Sequence, residues 1–318
     1  MNEQSSGQTA PAAPGAAVSV DVPAKINPHL GVGGARADGY HELSTVYQAI
    51  SLYDTVTVER RGEEGGGPGI ELTLSGEGAD LLPTGEDNLA VRAAKLMALY
   101  AEVEPDVRIH LNKRIPVAGG LAGGSADAAA TLVACARLWR VEIGDAELRR
   151  LAAGLGSDVP FCLNGGTAVG SGRGEELRQV ESSGTWHWVV ATTETQISTP
   201  ECYKEVDRLR EDGIGRFSAD VEPIVRAFEA GVGADVLAHL LVNDMEAAAV
   251  SLRPQLASLM HGGLEEGALA AHVSGSGPTV LFLASDVKHA VALARRLRMR
   301  GGARSIHLAR GPVPGPAA

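Results

Sequence analysis

The sequence predicts an α+β protein of two domains with a tail at each end. Strand-like and helix-like patterns alternate along the chain, the composition changes near residues 175–184, and 318 residues fit two domains of ordinary size. We place the first domain at residues 18–176 and the second at 177–310. The tails, 1–17 and 311–318, are rich in alanine, proline and glycine, and we expect both to be disordered.

In the first domain, alternating or β-branched stretches predict strands, and apolar residues spaced by three and four predict helices. The predicted strands are 18–22, 55–59, 70–74, 108–112 and 167–169, and the predicted helices are 88–102, 126–139 and 145–154. The glycine-rich residues 61–69, between two of these strands, are interpreted as a hairpin turn.

The second domain is predicted to hold a strand, a run of helices, two strands, a helix and a final strand. This order of elements is typical of an α+β layer arrangement. The predicted strands are 186–192, 271–273, 279–283 and 305–309, and the predicted helices are 200–211, 223–230, 235–241, 243–251, 254–262 and 287–298.

Composition and charge exclude several classes of protein. The formal net charge is −11 and no lysine and arginine cluster forms a basic face, so no nucleic-acid partner is expected. No stretch approaches the roughly 18 apolar residues of a membrane span, so no membrane association is expected. The 3 cysteines are far apart and lack metal-ligand spacing, which favours a reducing compartment. We expect a cytoplasmic protein that is a monomer or a weak homodimer.

A glycine-rich run, IPVAGGLAGGSADAAA at residues 115–130, lies between a predicted strand and a predicted helix. Glycines let a ligand approach the backbone N–H groups, and the following helix adds unpaired N–H groups and the positive end of its dipole. The run therefore favours a phosphate-binding loop. It lacks the Gly-Lys-Ser/Thr ending of a Walker loop and the spacing of a dinucleotide fingerprint. The alternative is a structural turn capped by Ser125 or Asp127.

Two charged residues occur where a surface role is not the only interpretation. Lys25 is followed by Asn27, Pro28 and several glycines, which suggests a functional cation, with a solvated loop lysine as the alternative. Asp158, in LGSDVPF, has apolar neighbours, among which a carboxylate is costly unless it is paired or functional. The alternative for Asp158 is a helix N-cap.

Three further segments combine turns with polar or aromatic groups. One follows a predicted turn at Asp38-Gly39, one begins a predicted helix, and one is a glycine turn between two predicted strands. For the first two segments packing alone is the better explanation, and for the glycine turn it is almost as good as contact with a ligand. The side chains of interest in these segments are Tyr40 and His41, Thr199 and Tyr203, and Gly275 and Ser276.

Taken together and in order, these segments resemble the three motifs of the GHMP kinases, a superfamily of small-molecule kinases. The motifs are PAKIN, PVAGGLAGGSADAA and VSGSGPTV, and the resemblance extends from about residue 18 to residue 309. It implies a ribosomal-protein-like N-terminal α/β domain, a ferredoxin-like C-terminal α+β domain and an active site in the cleft between them. ADGYHELST, GSDVPF and ISTPECYK are similar to the branch that phosphorylates a cytidine-diphosphate methylerythritol.

This resemblance implies transfer of the γ-phosphoryl group of ATP to the 2-hydroxyl of that small-molecule substrate. The catalytic pair of the family falls on Lys25 and Asp158: the carboxylate accepts the proton of the hydroxyl, and the ammonium keeps the carboxylate ionised. The cytidine end is expected against two tyrosines and a histidine, with Asn27 orienting the substrate near Lys25. The implied substrate-binding residues are Asn27, Tyr40, His41, Thr199, Tyr203, Gly275 and Ser276.

The resemblance also implies that the glycine-rich run holds the phosphates of ATP, with Mg²⁺ bridging them. No carboxylate in the run is a clear metal ligand, so the protein ligands of Mg²⁺ are unknown. Ala118 and Ala122 stand where glycine is common in relatives, and we expect neither to need a left-handed backbone angle. The implied ATP-binding residues are Asn88, Lys113, Pro116, Gly119, Gly120, Leu121, Ala122, Gly123, Gly124, Ser125 and Ala126.

Other functions stay open at this point. Another GHMP kinase with a smaller alcohol substrate would not need the paired aromatics Tyr40 and Tyr203. A catalytically dead relative that binds nucleotides would be expected to lack Lys25, Asp158 or Ser125, and all three are present. A phosphate-binding redox enzyme is disfavoured because its fingerprint is absent.

Overall fold

The structure is a computed structural model that describes residues 16–36, 39–61, 69–117 and 119–317. The disorder expected for residues 1–15 and 318, the turn residue Asp38 and the backbone angle expected at Ala118 lie outside this description. Within it, two β-sheets and ten α-helices alternate much as the sequence predicts.

The first sheet is built around a long antiparallel pair, β1 (Ala17–Ala35) and β2 (His41–Arg60). Its strand order is β3-β4-β2-β1-β8, and β5 and β6 extend from β2 as a second branch. The remaining strands are β3 (Ile70–Gly76), β4 (Val107–Lys113), β5 (Thr167–Ser171), β6 (Glu176–Val180) and β8 (Val242–Asn243).

Four helices belong to this half of the chain, and α2 packs against β1 and β2. Buried alanines along α2 let the helix lie close to the sheet, since alanine adds little bulk beyond the backbone. The helices are α1 (Leu89–Ala101), α2 (Gly123–Trp139), α3 (Asp145–Leu155) and α4 (Val159–Asn164).

Two local predictions for this sheet are wrong. The segment PAKIN was expected after the first strand, but Lys25 lies inside β1, where register shifts at Pro23/Ala24 and Ile26/His29 absorb prolines that cannot donate a ladder hydrogen bond. Residues 61–69 were expected to be a hairpin turn. However, β4 lies between β2 and β3, so these two strands are not hairpin partners. Residues 62–68 themselves lie outside the described part of the chain.

The second sheet has the order β11-β7-β10-β9 and is antiparallel at every strand pair. Its strands are β7 (Trp186–Thr192), β9 (Ala270–Val273), β10 (Val280–Ala284) and β11 (Ser305–Gly311). The associated helices are α5 (Thr199–Glu211), α6 (Glu222–Ala230), α7 (Ala234–Ala238), α8 (Glu246–Leu252), α9 (Gln255–Glu265) and α10 (Val287–Arg300).

The two halves are joined at more than one point. β6 pairs with β5, so the first sheet continues to Val180, beyond the boundary predicted at residue 176. β8 returns from the second half to pair with β1. Trp186 and Trp188 of β7 are buried in the same apolar cluster as residues of α1 and α2. The two halves of the chain therefore share part of one hydrophobic core.

The predicted disorder of the C-terminal tail is wrong for residues 311–317. Gly311 ends β11, and Val313 is buried. The N–H of Gly166 donates to the Val313 carbonyl at 2.8 Å, and the N–H of Gly315 donates to the Asn164 carbonyl at 3.0 Å. Glycine and proline suggest disorder when read by composition, but here they form an extended strap whose backbone pairs with the end of α4.

Among the described residues, none of the helices combines the length and the apolar character needed to span a bilayer.

Candidate active site

Two cavities meet at the glycine-rich loop between β4 and α2. The first has a volume of about 360 Å³, and the second about 340 Å³. Gly119 and Gly123 line both cavities, so the loop is the wall between them. The first cavity also takes residues from both halves of the chain, which places it in the cleft.

Lys25 and Asp158 face each other in the first cavity. Nζ of Lys25 lies 3.6 Å from Oδ2 of Asp158 and donates a hydrogen bond to Oδ1 of Asn27 at 2.7 Å. Asn27 in turn donates to the Thr45 hydroxyl at 2.9 Å, which fixes its amide. Lys25 is 5 % exposed, so its charge is compensated by these neighbours rather than by bulk water. Asp158 occupies the N-cap of α4, but its side chain makes no capping bond.

Tyr47 was not singled out from the sequence, although it lies in the same cavity wall. Its hydroxyl donates to Oδ1 of Asp158 at 3.2 Å, and Nζ of Lys25 lies 5.7 Å from the centre of its ring. Burial, with the Asp158 charge as a further cause, raises the pKa of Tyr47 well above its usual value. Tyr47 is therefore a third polar group beside Lys25 and Asp158 in this cavity.

Tyr47 lies in an unbroken buried stretch of β2, a feature that only the folded chain shows. Every residue from Thr45 to Ile50 is buried, whereas the preceding part of the strand alternates between buried and half-buried positions. A tyrosine hydroxyl inside such a stretch needs a polar partner. The sequence does not show that this partner is Asp158, because the two residues meet only in the folded chain.

The far end of the first cavity holds the predicted aromatic residues. The rings of His41 and Tyr203 stack with centroids 4.6 Å apart and an interplanar angle of 7°. Nε2 of His41 lies 3.0 Å from Oδ1 of Asp207, and because an ionised carboxylate only accepts, Nε2 carries the hydrogen. Tyr40 is 54 % exposed at the rim, with the Arg173 guanidinium 5.0 Å from its ring centre.

The third motif closes the cavity from the second half of the chain. The hydroxyls of Thr199 and Ser276 are hydrogen-bonded at 3.0 Å. Gly275 has φ +56°, and a Cβ there would lie 3.7 Å from Nζ of Lys25. The amide of Asn243 donates to the Gly275 carbonyl at 2.8 Å and holds this turn against β8. All three predicted residues of this region line the first cavity.

The glycine-rich loop is held by backbone contacts with the third motif. A Cβ at Gly119 would overlap the carbonyl oxygen of Gly277, and one at Gly120 would overlap that of Ser274. The Ser274 hydroxyl also donates to the Gly120 carbonyl at 2.9 Å. These two glycines are therefore required by packing before any ligand is considered.

The expectation for Ala122 is wrong. Its φ is +55°, in the left-handed region, at the residue that precedes α2. This angle costs an alanine on the order of 1 kcal/mol, which a glycine would avoid. The neighbouring Leu121 carbonyl accepts a hydrogen bond from the N–H of Lys25 at 3.2 Å, so the loop conformation is tied to β1.

The second cavity contains part of the predicted ATP-binding set. Asn88, Lys113, Pro116 and Gly124 line it, together with the two shared glycines. Asn88 caps α1 by accepting from the N–H of Ala90 at 2.9 Å. The side chains of Leu121 and Ala126 are fully buried, and Ser125, in the first turn of α2, lines neither cavity.

Lys113 is committed to an ion cluster beneath the loop. Its ammonium donates to Asp54 and, at 2.5 Å, to Oδ2 of Asp127 in α2. Oδ1 of Asp54 also accepts from the N–H groups of Arg114 at 2.6 Å and Ile115 at 2.8 Å. The cluster thus joins β2, β4 and α2 and fixes where the loop begins.

The cluster is buried and contains one more carboxylate than cations. Burial raises the pKa of Asp127 to about 7, although the Lys113 charge opposes this shift. Burial lowers the pKa of Lys113, but the two aspartates outweigh it and the net shift is upward. Lys113 therefore stays charged, and it also lines the second cavity.

Comparison with known proteins shows the family to which this chain belongs. Residues 88–166 match the GHMP kinases N terminal domain, and residues 225–302 match the GHMP kinases C terminal domain. The 4-diphosphocytidyl-2-C-methyl-D-erythritol kinase of Mycobacterium tuberculosis is 51 % identical over 302 residues, covering 95 % of this chain and 93 % of its own. The protein of that name from Saccharopolyspora erythraea is 51 % identical over 301 residues, covering 94 % and 92 %.

Solved structures give the same result for the fold. A crystal structure of 4-(cytidine 5'-diphospho)-2C-methyl-D-erythritol kinase superposes with a TM-score of 0.74 at 34 % identity, covering 92 % of this chain and 100 % of that one. A homoserine kinase from Cytophaga hutchinsonii superposes with a TM-score of 0.71 at 16 % identity, covering 95 % and 96 %, which shows the fold alone.

The fold and the paired cavities define a small-molecule kinase of the GHMP class, as the motifs predicted. Within that class, the identity over nearly the whole chain decides the family. This chain belongs to the 4-diphosphocytidyl-2-C-methyl-D-erythritol kinase family of the GHMP kinases.

Proposed function

We propose that this protein transfers the γ-phosphoryl group of ATP to the 2-hydroxyl of 4-diphosphocytidyl-2-C-methyl-D-erythritol, giving the 2-phosphate and ADP. This is a step of non-mevalonate isoprenoid precursor biosynthesis. The observation that carries the proposal is the Lys25–Asp158 pair, 3.6 Å apart, in a cavity that shares the glycine-rich loop with a second cavity. The arrangement supports an acceptor on one side of the loop and a phosphate donor on the other.

Asp158 acts as the general base in this proposal. As the 2-hydroxyl oxygen attacks the γ-phosphorus, the bond from that phosphorus to the leaving oxygen of ADP breaks, and the hydroxyl proton passes to Asp158. The ammonium of Lys25 lies beside this carboxylate and offsets the negative charge that develops on the phosphoryl oxygens. Asn27 holds the ammonium of Lys25 in place through the 2.7 Å hydrogen bond.

ATP is assigned to the second cavity, with its phosphates at the glycine-rich loop. The N-terminus of α2 supplies unpaired N–H groups and a positive dipole end for them. Gly123 and Gly124 open α2 and line this cavity, so their lack of side chains leaves the backbone accessible. Asn88 and Pro116 line its remaining wall.

Mg²⁺ is expected with the nucleotide. Among the described stretches of the chain, no group of three or more His, Cys, Asp or Glu side chains has the arrangement of a metal site. The donors around the loop fit an ion held chiefly by phosphate oxygens and water, which is how Mg²⁺ usually binds with nucleotides. When bound, the ion neutralises phosphate charge.

The cytidine end is assigned to the aromatic end of the first cavity. Tyr203 and Tyr40 offer faces for a pyrimidine ring. Because Nε2 of His41 bonds Asp207, a neutral His41 has Nδ1 as its acceptor, which matches the exocyclic amine of cytosine. Thr199, Gly275 and Ser276 line the cavity between this end and Lys25 and are assigned to the middle of the substrate.

We infer a cytoplasmic enzyme that works as a monomer or a weak homodimer. Its three cysteines are free and buried, which suits a reducing compartment. A smaller alcohol acceptor is the alternative, because homoserine kinase shares the fold.

The experiment that tests the function measures ADP release with Mg-ATP and each of four acceptors. These are the cytidine-diphosphate methylerythritol, methylerythritol phosphate, homoserine and mevalonate. Turnover with the cytidine compound alone supports the proposal. Turnover only with a smaller alcohol would keep the kinase class and overturn the substrate.

A further inference from the structure

We propose that Tyr47 is a positioning residue for the general base: its hydroxyl holds one carboxylate oxygen of Asp158 so that the other faces Lys25 and the acceptor hydroxyl. The inference rests on the proposed function, because it takes Asp158 as the base. Tyr47 donates to Oδ1 at 3.2 Å, while Nζ of Lys25 lies 3.6 Å from Oδ2. The two oxygens of one carboxylate therefore have different partners.

The position of Tyr47 is fixed by the helix that follows Asp158. The rings of Tyr47 and Phe161 stack with centroids 4.9 Å apart and an interplanar angle of 28°. Phe161 lies in α4, and Asp158 is the N-cap of that helix. Tyr47 of β2 therefore contacts α4 twice, through its ring at Phe161 and through its hydroxyl at Asp158.

Two glycines shape the space around the hydroxyl end of Tyr47. A Cβ at Gly174 would overlap the Tyr47 hydroxyl, and a Cβ at Gly170 would lie 2.7 Å from a carbon of the ring. The surroundings thus accommodate the whole tyrosine, including its oxygen. Val313, from the C-terminal strap, belongs to the same buried cluster as Tyr47 and Phe161.

The hydrogen bond has a direction that the chemistry requires. Burial raises the pKa of Tyr47 well above its usual value, and the Asp158 charge adds to the shift, so the hydroxyl keeps its proton and donates. Asp158 makes no capping bond in α4 that would otherwise fix its side chain. Tyr47 is therefore the donor that holds Oδ1 of Asp158 and limits rotation of the carboxylate.

The kinetics of Tyr47→Phe distinguish a positioning role for Tyr47 from a purely structural one. Tyr47→Phe keeps the buried ring and removes only the hydroxyl. We expect kcat to fall about 10- to 100-fold, the order expected for one hydrogen bond to a charged group, with the acceptor KM little changed. Tyr53→Phe, at the edge of the same cluster, is the matched control and should match the wild type.

The Tyr47→Phe change is then combined with Asp158→Asn. If Tyr47 acts through Asp158, Tyr47→Phe should not lower the residual turnover of Asp158→Asn further. An unchanged kcat in a folded Tyr47→Phe protein would overturn the proposal, whether or not the acceptor KM rises. Full activity of Asp158→Asn alone would instead refute the assignment of the base, which is a separate failure.

Discussion

Lys25 and Asp158 reach the same cavity from opposite sides: Nζ lies 3.6 Å from Oδ2, although one residue is in β1 and the other precedes α4. The register shifts around Lys25 turn this part of β1 away from a regular ladder. The strap at residues 311–317 forms backbone hydrogen bonds with the end of α4, the helix that follows Asp158. The distance between the two charges is thus set by several long-range contacts.

Asp158→Asn should reduce turnover to a small residual rate and leave ATP binding nearly intact. The amide cannot accept the proton of the acceptor hydroxyl, while the second cavity does not include Asp158. The measurements are ADP release and calorimetric titration with a non-hydrolysable ATP analogue. Unaltered turnover in this variant would remove Asp158 from the mechanism.

Tyr203→Ala should raise the acceptor KM about tenfold or more, because stacking on a base contributes ~1–3 kcal/mol. The variant also removes the ring stacked on His41. Tyr203→Phe keeps the ring and is the control, with a KM close to that of the wild type. An unchanged KM in Tyr203→Ala would move the cytidine site elsewhere.

Two glycines of the loop should respond differently to alanine. Gly119→Ala is expected to destabilise the protein strongly, because the new Cβ overlaps the Gly277 carbonyl. At Gly124 the nearest atom to a new Cβ is 3.9 Å away, so Gly124→Ala should fold normally and weaken ATP binding only. Thermal unfolding and ATP titration of both variants separate the effects. Equal melting temperatures for the two would contradict this account.

His272 should make stability depend on pH. Burial lowers the pKa of His272 to about 4, and the nearby charge of His29 acts in the same direction, against the hydrogen bond with the Asn27 carbonyl. The pKa of His272 is lower in the folded protein than in the unfolded one. Its contribution to the free energy of unfolding is therefore complete above about pH 6.5 and is lost as the pH falls toward 4.

The free energy of unfolding should fall by about 3 kcal/mol by pH 4 through His272. Urea unfolding at a series of pH values from about 8 down to about 4 measures it, with His272→Gln as the control because glutamine does not titrate. Glu246, whose carboxylate lies 3.5 Å from Nδ1 of His272, is present in both proteins. A pH dependence as steep in His272→Gln as in the wild type would assign the effect to other groups.

Most local elements could be predicted from the sequence, although β6 was missed and β8 overlaps a predicted helix, whereas the pairing of the elements could not be predicted. The strand-like residues at 186–192 predict β7 with its observed bounds, because one strand is determined by its own side chains. The position of β4 between β2 and β3 depends on contacts between distant segments. The same holds for residues 311–317, whose order comes from backbone pairing with the end of α4.

The candidate site shows the same division. Lys25, Asp158 and the glycine-rich loop could be proposed because their residue types are unusual in their local context. Tyr47 could not, since a tyrosine in a buried strand is ordinary until its partner is known. The prediction for the backbone angle at Ala122 was wrong because alanine disfavours a left-handed angle. Only the contacts of the loop with β1 and the third motif impose that angle.

The central claim is that the 2-hydroxyl of the cytidine-diphosphate methylerythritol receives the phosphoryl group, and phosphorus NMR of the product tests it directly. Carbon 2 carries a methyl group and no hydrogen, so a phosphate there shows no coupling to a proton on the ester carbon. We predict a new phosphomonoester singlet that forms as ADP appears. A doublet or triplet would place the phosphate on a secondary or primary hydroxyl and contradict the account.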